Sequence, residues 1–285
     1  MARVIDGHTH AFSPDVIERR EEICQIDEWF LHLYENPRAK LTGETELLAS
    51  MERSGIDHAV IAGFPWTDPG MCREHNAWMA EVCRAHPDRL SFLGIVAPND
   101  RDAGRDAEAA FNLGAIGIGE LNADAQGFVL DDPADTAAVV EVCKLTGKPL
   151  MFHTSEPVGH SYPGKGTATP DKLVRWLEAY SEQPVIFAHW GGGLPFYELM
   201  PEIRALAANA VYDCAATTYL YDFSVFQTVL DVVGPERIIF GSDFPVLGQR
   251  RLLDQVRAVV QDSWIDDLLG GNARRLFDFE SGESE

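Results

Sequence analysis

Val4-Ile-Asp-Gly-His-Thr-His10 carries the first apolar run of the chain and ends it on two histidines. In an extended strand, residues two apart point to one face. His8 and His10 would therefore project together near the C-terminal end of that strand. One strand can in this way offer two nitrogen ligands to one divalent cation. Two histidines at this spacing also arise by chance, so the triplet gains its meaning from the rest of the chain.

Working outward from a first strand near residues 3–7, strand-like runs recur near 57–63, 90–96, 115–121, 149–153, 184–189, 210–214 and 237–242. Several are continuously apolar, such as Val185-Ile-Phe-Ala188 and Ile238-Ile-Phe240. Runs of that kind suit a parallel sheet covered on both faces. Helical periods fall between them, at 45–54, 75–85, 103–113, 135–146, 170–180, 196–208, 222–233 and 250–261. Thr169 before Pro170 reads as an N-cap with proline at the first helical position, and Gly147 reads as a helix stop. Eight strand–helix repeats predict an α/β fold, a single (β/α)₈ TIM barrel over residues 1–280, followed by an acidic tail at 281–285.

Two connections are longer than the barrel needs. Residues 11–44 form an excursion after strand one and carry Phe12, Trp29, Phe30, His32, Leu33 and Tyr34. Residues 154–169 follow strand five and hold Gly159, Pro163, Gly164 and Gly166. Loops after barrel strands face the active site, and long ones there serve as lids or pocket walls. Gly159-His-Ser-Tyr-Pro-Gly-Lys-Gly166 has the spacing of a phosphate loop up to its lysine. The hydroxyl residue that should come next is Gly166, and Pro163 removes a backbone donor, so nucleotide binding is not expected. His160, Tyr162 and Lys165 read instead as substrate contacts, with Trp66 after strand two as a further pocket wall.

The 285 residues exceed the roughly 250 that an ordinary barrel requires. A formal net charge of −22, spread along the chain, argues against a nucleic-acid backbone as partner. A small-molecule substrate is expected, an anionic one included, because a cation can override the field locally. A homo-oligomer is compatible with this composition. The five cysteines, Cys24, Cys72, Cys83, Cys143 and Cys214, form no CxxC pair and read as reduced thiols of a cytoplasmic protein. A secretory leader is not expected, since a strand begins by residue 4, and no apolar run reaches membrane-spanning length.

Metal-capable side chains stand at the ends of successive strands: His8 and His10, Glu120, His153, His189 and Asp243. In a barrel all six converge on the C-terminal mouth. Each alone has an ordinary explanation as a cap, an ion-pair partner or a core histidine. Together they are hard to explain without a cation, because burying unpaired polar groups costs several kcal/mol each.

The ordered set Asp6-Gly-His-Thr-His10, Met151-Phe-His153, Ala188-His-Trp-Gly-Gly-Gly193, Phe240-Gly-Ser-Asp-Phe-Pro245 and Gly271-Asn-Ala-Arg-Arg-Leu-Phe277 resembles the amidohydrolase superfamily. The branch it is most similar to is the amidohydrolase-related group that includes aminocarboxymuconate-semialdehyde decarboxylase. That resemblance covers nearly the whole chain. It implies metal ligands at His8, His10, His153 and Asp243, with His189 beside the metal, acting on bound water or substrate. Glu120 departs from this pattern and is similar to the strand-four glutamate of TatD-like hydrolases, which bridges two metals. In that case His153 and His189 would hold the second ion. Otherwise Glu120 would accept a hydrogen bond from a ligand histidine. No lysine stands at this position, so a carbamylated-lysine bridge is not expected.

These residues predict a metal-dependent hydrolase acting on an ester, lactone or amide through a metal-activated water. Asp243 would take the water proton and return it to the leaving group, and His189 would orient the water or polarise the carbonyl. Zn²⁺ is the expected ion; Mn²⁺ and Fe²⁺ suit the same mixed donors. The alternative is non-oxidative decarboxylation of an aromatic or unsaturated carboxylic acid.

Overall fold

The computed structural model describes residues 3–279, so the expected tail at 281–285 lies outside the described residues. Eight parallel strands succeed one another in chain order: β1 (Ile5–Thr9), β2 (His58–Ile61), β3 (Leu90–Phe92), β4 (Ile118–Leu121), β5 (Leu150–Phe152), β6 (Val185–Phe187), β7 (Ala210–Asp213) and β8 (Ile238–Ile239). Ladders join β1 to β3 and β4 to β8. A bridge between Gly94 and Ile118 joins β3 to β4. The Gly7 N–H donates to the Phe240 carbonyl (2.8 Å), and Thr9 bridges Phe244, which closes β8 onto β1. The ring of strands is complete, as the eight apolar runs require.

Within the ring, Ile5, Val60, Leu93, Met151, Ile186 and Ile239 form an inner core, joined by Ala273 and Phe277 near the end of the chain. Alternate residues, such as Val185 and Phe187 on β6, belong to the outer layer against the helices. Each such buried side chain stabilises the fold by about 1.5–3 kcal/mol relative to exposure. The interior is therefore packed, and chemistry is confined to the strand ends.

The barrel helices fall on the expected periods, among them Glu44–Ser54, Pro69–Ala85, Ala103–Asn112, Ala137–Thr146, Pro170–Tyr180, Ser224–Val233 and Gln249–Val259. Gly147 ends its helix in the left-handed conformation (φ 67°), where glycine carries no Cβ penalty. Two expectations need correction. The single helix at 196–208 is divided into Leu194–Tyr197 and Pro201–Leu206, because Pro201 disfavours helical backbone at Met200 and so begins a new helix. Thr169 stands at the N-cap position with extended backbone, but its hydroxyl donates to Asp171 Oδ1 (2.5 Å) instead of capping.

The excursion after β1 folds into three short helices, Pro14–Glu18, Arg20–Ile23 and Glu28–Tyr34. Phe12, Phe30 and Tyr34 anchor it to the barrel through an aromatic cluster with Phe64 and Trp66. The third helix also carries Trp29, whose ring meets that of His153 edge-on at 6.2 Å. Helix Glu28–Tyr34 thus roofs part of the mouth.

Candidate metal centre

His8 and His10 do share one face of β1: their Nε2 atoms lie 3.2 Å apart. The other nitrogen of each ring is committed. His8 Nδ1 lies 2.8 Å from Asp213 Oδ2, and His10 Nδ1 lies 3.2 Å from the Ala62 carbonyl. Both partners are acceptors, so each Nδ1 donates and each Nε2 turns a lone pair to the mouth. Asp243 Oδ1 approaches at 3.5 Å from His10 Nε2 and 4.0 Å from His8 Nε2. Glu120 Oε2 lies 3.5 Å from both. Four acceptor atoms therefore converge where no donor stands among them.

The β5–β6 side is built differently. His153 Nε2 donates to the Gly164 carbonyl (2.8 Å), leaving Nδ1 facing Glu120 Oε1 at 3.0 Å. His189 Nε2 lies 3.3 Å from the same oxygen and 3.2 Å from His153 Nδ1. His189 Nδ1 is buried without a hydrogen-bond partner. The six candidates thus form two groups, His8, His10 and Asp243 on one side, and Glu120, His153 and His189 on the other. Glu120 faces both, one oxygen to each. His153 turns to Glu120 rather than joining His8, His10 and Asp243, which divides the four-ligand set that the resemblance implied.

Local backbone explains the aim of these groups. His189 and Asp243 adopt left-handed backbone (φ 56° and 58°), which costs an L-residue roughly 1–2 kcal/mol. Each chain end turns sharply off its strand there. At Gly192 a Cβ would run into the Ser155 carbonyl, so glycine permits the turn after His189. Asp243 is tied back to β1 by its N–H to the His8 carbonyl (2.9 Å). The preceding Ser242 is held by Asp6, which accepts from its N–H (2.9 Å) and hydroxyl (2.6 Å) and from Gln249 Nε2 (2.8 Å). Burial pushes the Asp6 carboxyl up to about 6, against the pull of these bonds.

The acceptors draw positive charge. Burial disfavours an ionised Glu120, but His8 and His153 hold it well below the usual carboxylate range. Burial opposes charge on His8, yet Glu120 and Asp213 raise it well above the ordinary value. His189 is likewise opposed by burial and raised to about 9, chiefly by its hydrogen bond to Glu120 and that residue's charge. With protons alone to draw on, the centre would gather them. A divalent cation meets the same need with one charge centre and fits the mixed nitrogen and oxygen donors.

Asp213 is absent from the residues expected at the site, although Ala210-Val-Tyr-Asp213 carries the same signal of an acid at a strand's end. It is fully buried, holds the His8 ring and accepts the N–H of His189 through Oδ1 (2.8 Å). Of the expected substrate contacts, Trp66 needs correction. Only 1% exposed, it stacks on Phe30 (5.4 Å) and donates through Nε1 to His75 Nδ1 (2.9 Å), so it supports the roof from behind. Phe64, two residues earlier, lies against the same indole in the aromatic cluster (4.4 Å). His160, Tyr162 and Lys165 line a cleft of about 330 Å³ with Glu156, Gly192, Gly193, Phe196 and Tyr221. That cleft adjoins the centre, since Gly192 and Gly193 come soon after His189 and Gly164 contacts His153. Trp190 is fully buried and donates to the Thr217 hydroxyl (2.9 Å), which gives it a packing role. No helix of the described residues is long and apolar enough to cross a membrane.

A family model described as amidohydrolase matches residues 5–279. No curated protein matches the sequence. Solved structures share the whole architecture. 5-Carboxyvanillate decarboxylase from Sphingomonas paucimobilis matches with TM-score 0.77 at 20% identity, over 98% of this chain and 99% of that one. The corresponding enzyme from Novosphingobium aromaticivorans, with manganese and 4-hydroxy-3-methoxy-5-nitrobenzoic acid bound, gives 0.77 at 19% identity over 97% and 96%. A dihydroxybenzoic acid decarboxylase from Polaromonas, with manganese and 2-nitroresorcinol bound, gives 0.71 at 15% identity over 98% and 97%. These similar structures overturn the expectation of ester, lactone or amide hydrolysis. The error has a physical source: a glutamate on β4 adds charge for any cation, and does not specify hydroxide as the nucleophile.

Proposed function

We propose that this chain, which belongs to the amidohydrolase family, is a metal-dependent non-oxidative decarboxylase of an aromatic carboxylic acid bearing a neighbouring hydroxyl. The observation that carries this reading is the pairing, at one mouth, of a cage of acceptors with an imidazole poised to give up a proton. His8 Nε2, His10 Nε2, Asp243 Oδ1 and Glu120 Oε2 would hold one divalent ion. Manganese is favoured over the zinc expected from sequence, because two of the similar decarboxylases bind it and because carboxylate oxygens suit it. When bound, the ion supplies a fixed positive charge for the substrate's carboxylate and adjacent oxygen.

The chain's own residues supply the rest. Glu120 Oε1 holds the proton of His189 at Nε2, 3.3 Å away. Asp213 fixes the backbone of His189 and the ring of His8 together, so the acid and the cage keep a constant relation. His189 delivers its proton to the ring carbon that bears the carboxylate. The bond from that carbon to the carboxylate then breaks, its electron pair restores the aromatic ring, and carbon dioxide leaves. One proton is consumed and no oxidant is needed. Trp29 and the Gly164 carbonyl lie against His153, and His189 beside it is buried, so water has little access to its imidazole.

The test is carbon dioxide release from a panel of hydroxybenzoates by manganese-loaded protein in D₂O, with product analysis by NMR. Deuterium should appear at the carbon that lost its carboxylate, at one bound ion per chain. Absence of carbon dioxide from every member, or two ions per active chain, would reject this reading.

A further inference from the structure

Glu156 stands three residues beyond His153, within about 11 Å along the chain even if fully extended. Its side chain is 12% exposed and lines the cleft beside the centre. One oxygen, Oε2, accepts the Tyr162 hydroxyl (2.9 Å). The other, Oε1, is buried with no hydrogen-bond partner. A buried carboxylate oxygen left unpaired is unfavourable, and rotation about the soft terminal torsion of glutamate can turn it to an arriving group. Lys165 is the nearest cation, but its Nζ lies 3.9 Å from Oε2 and donates to the carbonyls of Val158 (2.6 Å) and His160 (3.2 Å). Tyr221 and Phe196 form the facing wall, their rings 6.1 Å apart. The cleft therefore combines aromatic walls with a carboxylate whose second oxygen lacks a donor.

Resting on the decarboxylase reading, we propose that Glu156 is a specificity-determining residue that selects the ring substituent remote from the reacting carboxylate. It accepts from an amino or hydroxyl group there and repels a second carboxylate. Selection of this kind uses one attractive and one repulsive interaction at the same atom pair. The cation cage holds the reacting end, and Glu156 reads the far end of the ring.

Binding of unreactive nitrophenols tests this without turnover. 4-Amino-2-nitrophenol and 4-hydroxy-3-nitrobenzoic acid differ only in carrying an amino or a carboxylate group para to the hydroxyl. Their Kd values should be measured by calorimetry on manganese-loaded wild type, Glu156→Gln and Tyr162→Phe. Wild type should prefer the amino compound by roughly tenfold or more, the effect expected of a hydrogen bond to a charged group. Glu156→Gln should reduce that ratio by about tenfold, whereas Tyr162→Phe, which keeps the carboxylate, should retain it. Should Glu156→Gln fail to fold, Glu156→Ala carries the same expectation. An unchanged ratio in the Glu156 variant, a wild-type preference for the carboxylate compound, or no binding of either compound would overturn the proposal. A shifted ratio without carbon dioxide release from any hydroxybenzoate would keep Glu156 as selector and reject decarboxylation. Carbon dioxide release with an unmoved ratio would reject Glu156 alone.

Discussion

On the β1–β8 side of the mouth, His8 and His10 each give Nδ1 to a fixed acceptor and turn a bare Nε2 inward beside two carboxylate oxygens. On the β5–β6 side, His153 gives Nε2 to a loop carbonyl, and His189 leaves Nδ1 without a partner. The residue types are the same, and the difference lies in what the outer nitrogens touch. Rings pinned by Asp213 and the Ala62 carbonyl cannot change tautomer to satisfy one another, so that side calls for a cation. A ring free at Nδ1 can carry a proton toward Glu120 and later give it away. The contrast separates the group that binds from the group that reacts.

The largest effect should come from emptying the first side. His8→Ala with His10→Ala removes two of the four donors and should abolish both manganese binding and carbon dioxide release, while circular dichroism shows an intact barrel. Retained metal in the double variant would break the division of the mouth. On the second side, His189→Asn removes the proton donor. It should lower kcat by roughly 10²–10⁴ while leaving the ion in place. Loss of the ion in this variant would move His189 into the cage.

Asp213 and Glu120 sharpen the same division. Asp213→Asn keeps the shape but withdraws the charge that holds the His8 ring, and should weaken manganese affinity by roughly 10–100-fold. Glu120→Gln touches both sides, so it should weaken the ion to a similar degree and lower kcat as well. If Glu120→Gln changed affinity alone, its Oε1 contact with His189 would have no part in proton delivery.

Much of this division is legible in the amino-acid sequence. Apolar runs mark the eight strands, and several of them are continuous, such as Val185-Ile-Phe187, because such strands are buried against both the barrel interior and a helix. The strand-end position of His8, His10, Glu120, His153, His189 and Asp243 is fixed by the same runs. Asp213 carries the same positional signal, but Tyr212 and Cys214 around it suggest only packing. Trp66 misleads for the opposite reason: a large aromatic after a strand suits a pocket wall, and only the folded excursion shows Phe30 stacked upon it. The split of the ligands into two groups is offered by the sequence only as the alternative in which His153 and His189 stand with Glu120; choosing between it and the set His8, His10, His153 and Asp243 depends on ring tautomers set by contacts such as the Ala62 and Gly164 carbonyls. The type of reaction is not legible, because the same donors serve water or a carboxylate equally well.

The smallest effect concerns stability rather than turnover. Without metal, His8 is raised well above its ordinary value and His189 to about 9. A histidine whose folded pKa exceeds its unfolded value stabilises the fold fully below the unfolded value, near 6.5, and loses that contribution as pH rises through the folded value. The metal-free protein should therefore lose thermal stability progressively between about pH 6.5 and 9. Manganese should flatten this decline, because on the β1–β8 side a cation takes the place of the protons that the cage otherwise gathers. The remaining slope would then report the β5–β6 side, and His189→Asn should remove it. Thermal denaturation across this range, with and without manganese, reads both halves of the mouth. A flat profile in the metal-free protein would mean that the two sides meet their charge in some other way, and that the acceptors at the mouth do not draw protons.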